Sequence, residues 1–112
     1  MKNKIDIDVI KGFILRELAQ QPGADHAIKR SVIRRRMCDR VGVKIGDRNF
    51  RKIIESECPQ ICFNGKGYFI PADAAEVRRT VDRIESYIRG LAARRKAILT
   101  AYPDGRQMEL GL

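Results

Sequence analysis

One histidine, three cysteines and no long apolar run set the first limits on this 112-residue chain. His26 stands alone, and no paired-carboxylate or Gly-rich phosphate motif accompanies it. Asp6 with Asp8, and Glu55 with Glu57, read as helix caps and solvated helix positions, so an enzyme is not expected. No apolar stretch approaches the roughly 18 residues of a membrane helix, and no membrane partner is expected. The opening segment MKNKIDIDVIKGF is broken by Asp6, Asp8 and Lys11. It therefore lacks the apolar segment of a signal peptide, and a cytoplasmic protein is expected. Cys38, Cys58 and Cys62 form no disulfide framework. With His26 they could be drawn as a zinc site. Cys58 and Cys62, however, stand in a C-x3-C spacing instead of the usual C-x2-C, so three small core or half-buried thiols are the expectation, with no metal and no cofactor. No internal repeat or low-complexity tract is present.

What the chain does have is positive charge: 23 Lys and Arg against 14 Asp and Glu, a net +9. That balance favours a polyanionic partner, most often nucleic acid. The apolar content of 44% is ordinary for one small globular domain with its own core.

Hydrophobic spacing gives the order of elements. Ile10, Phe13, Ile14 and Leu18 line one face of a helix over Asp8–Gln20, capped by Asp6 or Asp8 and stopped by Gln20-Gln21-Pro22-Gly23. After a short polar link over Ala24–Ile28, SVIRRRMCDRVG reads as a second helix. It has Ile33, Met37 and Val41 on one side, and Arg34, Arg35, Arg36 and Arg40 around them. Gly42 ends it and Gly46 marks a turn. Asp47 is expected as the N-cap of a third helix, DRNFRKIIESEC, with Phe50, Ile53, Ile54 and Glu57 on one face and Arg48, Arg51, Lys52 and Glu55 opposite. Pro59 ends it. Strands over Ile61–Phe63 and Tyr68–Ile70 then flank Asn64-Gly65-Lys66-Gly67, a hairpin signal with a lysine at its tip. After Pro71, Asp73 can cap a long helix reaching about Thr100. Its stripe Val77, Val81, Ile84, Ile88, Leu91, Arg95 and Ile98 repeats every seven residues. That stripe either packs along its own domain or forms a homodimer seam through residues 77–98. The expected organisation is a domain of three helices and a hairpin over 1–72, the long amphipathic helix over 73–100 and a tail over 101–112.

This order, mainly α with a small β-hairpin and a long C-terminal helix, resembles the winged helix-turn-helix fold. In that family the third helix enters the DNA major groove and the hairpin wing touches the flanking backbone. The resemblance places Arg48, Asn49, Arg51 and Lys52 toward the groove, with Asn49 on the flank of the helix. It places Lys66 on a backbone phosphate, and Arg34, Arg35 and Arg36 as positioning contacts. Double-stranded DNA is the implied partner.

A narrower likeness covers roughly residues 25–99. Asp47-Arg48 with Arg51, Ile61-Cys62, Gly67-Tyr68-Phe69-Ile70-Pro71 and Glu76-Val77 together resemble a pattern in small phage and prophage proteins of bacteria. That likeness implies a DNA-binding protein of replication or regulation.

The last six residues, QMELGL, follow a Pro-Asp-Gly break. They resemble the motif by which bacterial replication and repair proteins hold the sliding clamp, with Gln107, Met108, Leu110 and Leu112 at its four fixed positions. An extended peptide of this kind places apolar side chains in preformed pockets while one amide sets the register. Alternatively, Leu110 and Leu112 pack on the domain. The leading expectation is a phage-type DNA-binding protein of replication with a clamp-binding tail. The alternatives are a dimeric transcriptional regulator and a protein-interaction module acting on host replication machinery.

Overall fold

In the computed structural model, which describes residues 6–103, the chain is mainly helical, with one small antiparallel hairpin and a long last helix. The elements run α1 (Ile7–Ala19), a 3-10 turn (Ala24–His26), α2 (Arg30–Val41), α3 (Asp47–Glu57), β1 (Cys62–Asn64), β2 (Gly67–Phe69) and α4 (Ala74–Ala101). Contacts divide the chain into two compact units, Met1–Thr80 and Val81–Leu112. The motif QMELGL lies outside the described residues.

Asp6 caps α1. Its carboxylate accepts from the backbone N–H of Asp8 and of Val9, satisfying donors that the first turn leaves without partners. Ile10, Phe13, Ile14 and Leu18 then fall on one face and are buried. α2 contributes Ile33 and Met37, and α3 contributes Phe50, Ile53 and Ile54. Ile45, from the α2–α3 link, completes the centre of the core. Val41 departs from the expected stripe and is exposed. It stands in the last turn of α2, beside Gly42, whose left-handed conformation closes the helix with an N–H bond to the Cys38 carbonyl.

Two local expectations need correction. Gly46, not Asp47, is the N-cap of α3, and it supplies no side-chain bond. Asp47 is the first helical residue, where a negative charge favours the helix dipole, and its carboxylate is held by arginines of α2. The hairpin strands each lie one residue closer to the turn than expected, pairing Cys62 with Phe69, Phe63 with Tyr68 and Asn64 with Gly67. The cause is the Asn64 side chain. Its Oδ1 accepts from the N–H of Lys66 (2.8 Å) and of Gly67 (3.2 Å), so Asn64 closes the turn from within the strand.

The link before α2 does more than connect. Ile28 exchanges two backbone hydrogen bonds of 2.9 Å with Tyr68, which extends the hairpin by a third, single-residue rung. Gly67 lies against this rung at φ +148, and an added Cβ there would collide with the Ile28 carbonyl. The outer edge of β2 is therefore covered rather than open.

The first turns of α4 belong to the unit that holds this core. Asp73 caps the helix by accepting from the Glu76 N–H. Glu76 in turn reaches back to the N–H groups of Ala72 (2.9 Å) and Ala24 (3.0 Å). This is a capping box stretched to include a second segment of chain. Thr80 is the buried residue of α4. Further along, Val81, Ile84, Ile88, Leu91 and Ile98 are all exposed among the described residues.

Candidate nucleic-acid interface

The amphipathic spacing of α3 fixes its two faces. Phe50, Ile53 and Ile54 go into the core, and one helical step of about 100° per residue turns Arg48, Arg51 and Lys52 outward. Asn49 is exposed beside them. Among the described residues, Arg48, Asn49 and Lys52 engage no other side chain. Arg51 has a loose i,i+4 approach to Glu55 at 4.0 Å, an exposed pair of little energetic weight. The outward face of α3 therefore presents three cations and one amide directly to solvent.

The hairpin tip adds Lys66, exposed and with an uncommitted ammonium group among the described residues. Its backbone is fixed by the Asn64 turn, and Asn64 Nδ2 also donates to the Ala24 carbonyl at 3.2 Å, tying the turn to the segment before α2. Lys29 and Lys44, exposed in the links on either side of α2, extend the same sign of charge.

The three consecutive arginines of α2 divide by task. Arg35 is exposed and engages no other group among the described residues. Arg34 donates from Nε (3.1 Å) and Nη2 (2.8 Å) to the Ile45 carbonyl, holding the α2–α3 link. Arg36 donates to Glu17 of α1 at 2.8 Å, and Arg40 donates to the other Glu17 oxygen at 2.9 Å. Glu17 is only 5% exposed, and a buried carboxylate needs such partners. Arg34 and Arg36 are thus engaged inside the fold, and only Arg35 of the triplet is free for an external anion.

Arg30 ties the interface together. Its Nε and Nη2 form a fork on the Asp47 carboxylate at 2.7 and 3.0 Å, and its Nη1 donates to the Tyr68 hydroxyl at 3.2 Å. The first residue of α2, the first of α3 and the middle of β2 thereby share one planar group. The hydrogen bond from Arg30 holds the Asp47 carboxyl below the usual aspartate range, and the bonds to Asp47 and Tyr68 raise the guanidinium's proton affinity.

Sequence reading missed both Glu17 and Arg30. Glu17 left a signal, since it occupies the i+7 position of the apolar row that starts at Ile10. Arg30 left none, because its partners lie 17 and 38 positions away. Cys58 and Cys62 are buried and Cys38 is half-buried. Burial pushes the Cys58 thiol above its usual pKa. Among the described residues no three His, Cys, Asp or Glu side chains come together as a metal-holding group, and no helix is long and apolar enough to cross a membrane. No protein family, curated protein or solved structure matches this chain.

Proposed function

We propose that this chain is a double-stranded-DNA-binding protein of the winged helix-turn-helix type, non-enzymatic and acting in the cytoplasm of a bacterial host. α3 lies in the major groove, the β1–β2 tip lies on the adjacent backbone, and Arg35 adds a phosphate contact. One observation carries this reading: Arg48, Asn49, Arg51 and Lys52 stand exposed on one face of a helix whose other face is locked into the core. Arg and Lys suit guanine edges and phosphates, and Asn suits adenine. The three-way bond of Arg30 supports the reading, since it links the hairpin to α3, and the Ile28–Tyr68 rung ties the same hairpin to the segment before α2.

The test is the salt dependence of affinity for a mixed-sequence duplex, read by fluorescence anisotropy. Five phosphate contacts from Arg35, Arg48, Arg51, Lys52 and Lys66 give a log–log slope of about −4.5, at roughly 0.9 per phosphate on B-DNA. Arg48→Glu with Lys52→Glu abolishes binding while leaving the helical signal intact. A flat salt response, or full affinity in the charge-reversed chain, overturns the reading and favours a protein-interaction module.

The place in replication rests on Gln107, Met108, Leu110 and Leu112. The corresponding experiment is sliding-clamp binding by the full chain against a chain ending at Gly105. Saturable binding lost on truncation supports the replication role, and no binding by either form removes it. The second reading, a two-fold transcriptional regulator, keeps the same DNA-reading helix and is favoured by the exposed apolar stripe of α4.

A further inference from the structure

The unit over Val81–Leu112 presents an exposed apolar row that nothing else in the described chain covers. Val81, Ile84, Ile88, Leu91 and Ile98 are each more than two-fifths exposed, and the two most exposed, Ile88 at 60% and Leu91 at 71%, lie next to each other in the row. The row keeps a 4-3 spacing from Val77 through Arg95 to Tyr102, the spacing of a helix that pairs with another helix. An open hollow on this helix is lined by Leu91, Arg94, Arg95, Ile98 and Leu99. The first four stand at i, i+3, i+4 and i+7, the arrangement that receives a side-chain knob from a facing helix.

We infer that α4 pairs with α4 of a second copy of this chain in an antiparallel arrangement, with the two-fold axis passing between Ile88 and Leu91. This inference rests on the two-fold reading above and gives it a geometry. Charge decides the direction. Between Glu76 and Glu85 the helix carries three acidic and three basic side chains, whereas Arg89, Arg94, Arg95 and Lys96 are all basic. A parallel pair would set Arg95 against Arg95 inside the seam and stack both basic ends together. The antiparallel pair sets Ile88 against Leu91 of the second copy, Val81 against Ile98, and Ile84 against Arg95. Ile84 then enters the hollow, and the Arg95 stem covers it while its guanidinium reaches Glu85. Asp82 comes beside Lys96, and Tyr87 beside Arg94, where a cation meets an aromatic face. The two most exposed apolar side chains meet at the axis, where the Ile88–Leu91 contact is made twice by symmetry.

Sedimentation equilibrium on the full chain tests the pairing. The expected mass is twice the 12.8 kDa of the chain, falling to the single-chain mass in Ile88→Asp and in Leu91→Asp with helical content preserved. Direction is read by electron-spin distance measurement, with labels at Ser86→Cys or Thr100→Cys in a Cys38→Ser background. At about 1.5 Å per residue, the antiparallel pair separates the labels along the axis by roughly 10 Å at position 86 and roughly 30 Å at position 100. A single-chain mass at all concentrations overturns the inference and leaves the DNA-binding reading standing. A dimer unaffected by both aspartate variants places the interface elsewhere and overturns it. So do equal distances at the two label positions, which mean parallel pairing. A chain ending at Gly105 that dimerises where the full chain does not would show the tail covering the row, and also overturns it.

Discussion

Arg35 and Arg36 are neighbours in sequence, yet their removal should have opposite consequences. Arg36 donates at 2.8 Å to Glu17, whose side chain is 4% exposed, while its own side chain is 39% exposed. A hydrogen bond to a charged group contributes about 1.5–3 kcal/mol, and the open side of Arg36 lowers that toward about 1–1.5 kcal/mol. Arg36→Ala should therefore lower the melting temperature by roughly 5 °C and leave DNA affinity near its original value. Arg40 still accompanies Glu17 in that variant. Removing both arginines leaves a buried carboxylate without a partner, at a cost of about 3–5 kcal/mol, a large share of a domain's total of roughly 5–15. The double variant should thus be worse than the sum of the single ones. Adding Glu17→Leu should recover most of the loss, because an apolar side chain in that place needs no partner. Arg35→Ala should leave the melt unchanged and weaken DNA binding, with the salt slope reduced by about 1. Thermal unfolding by circular dichroism and duplex anisotropy, run on the same samples, provide both readouts. An unchanged melt with weakened DNA binding in Arg36→Ala would refute the division of tasks, as would an Arg36→Ala/Arg40→Ala loss no greater than the sum of its parts.

Gly67→Ala places a methyl against the Ile28 carbonyl at a φ of +148; a loss of about 2–3 kcal/mol or more is expected in chemical denaturation, and a loss under 0.5 would contradict the close approach. Because Arg30 depresses the Asp47 carboxyl, the stability this pair adds is present above the unfolded aspartate pKa near 3.9 and is lost as pH falls through the lower folded value. Asp47→Asn should accordingly melt earlier than the parent chain at pH 7 and converge with it as pH falls below the unfolded aspartate pKa, in a series of melts at decreasing pH. Burial raises the Cys58 thiol, so at pH 8 an alkylating reagent should modify half-buried Cys38 on the order of tenfold faster than Cys58, as peptide mass mapping over time would read.

Much of the unit over Met1–Thr80 was legible in the sequence because its signals are local. The row Ile10, Phe13, Ile14 and Leu18 marks α1, the stops at Gly42 and Pro59 bound α2 and α3, and Asn64-Gly65 marks the hairpin. The outward face of α3 follows from the same 100° rotation that buries Phe50. What was not legible depends on pairs distant in sequence. Nothing near Arg36 says that its partner is on α1, and nothing near Ile28 says that it pairs with Tyr68. The hairpin kept its expected register, Phe63 opposite Tyr68, but its strands reach one residue further toward the turn, where the Asn64 side chain closes it. Spacing alone does not say whether the α4 row packs at home or away, since both uses demand the same heptads.

The guanidinium of Arg30 is in bonding contact with Asp47 at the head of α3 and with Tyr68 in the hairpin. The parts of the molecule that would touch a duplex are therefore indexed to one rigid plane. That makes the outward positions of α3 interchangeable in a way the anchoring positions are not. If α3 reads DNA as proposed, swapping residues 48, 49, 51 and 52 would rewrite what is read without moving the reader, whereas Arg30→Lys, with a single point charge on a flexible stem, cannot hold both neighbours at once. On that proposal the chain would be a cassette, with four exposed positions to vary and a mount of Arg30, Asp47 and Tyr68 that must be left alone.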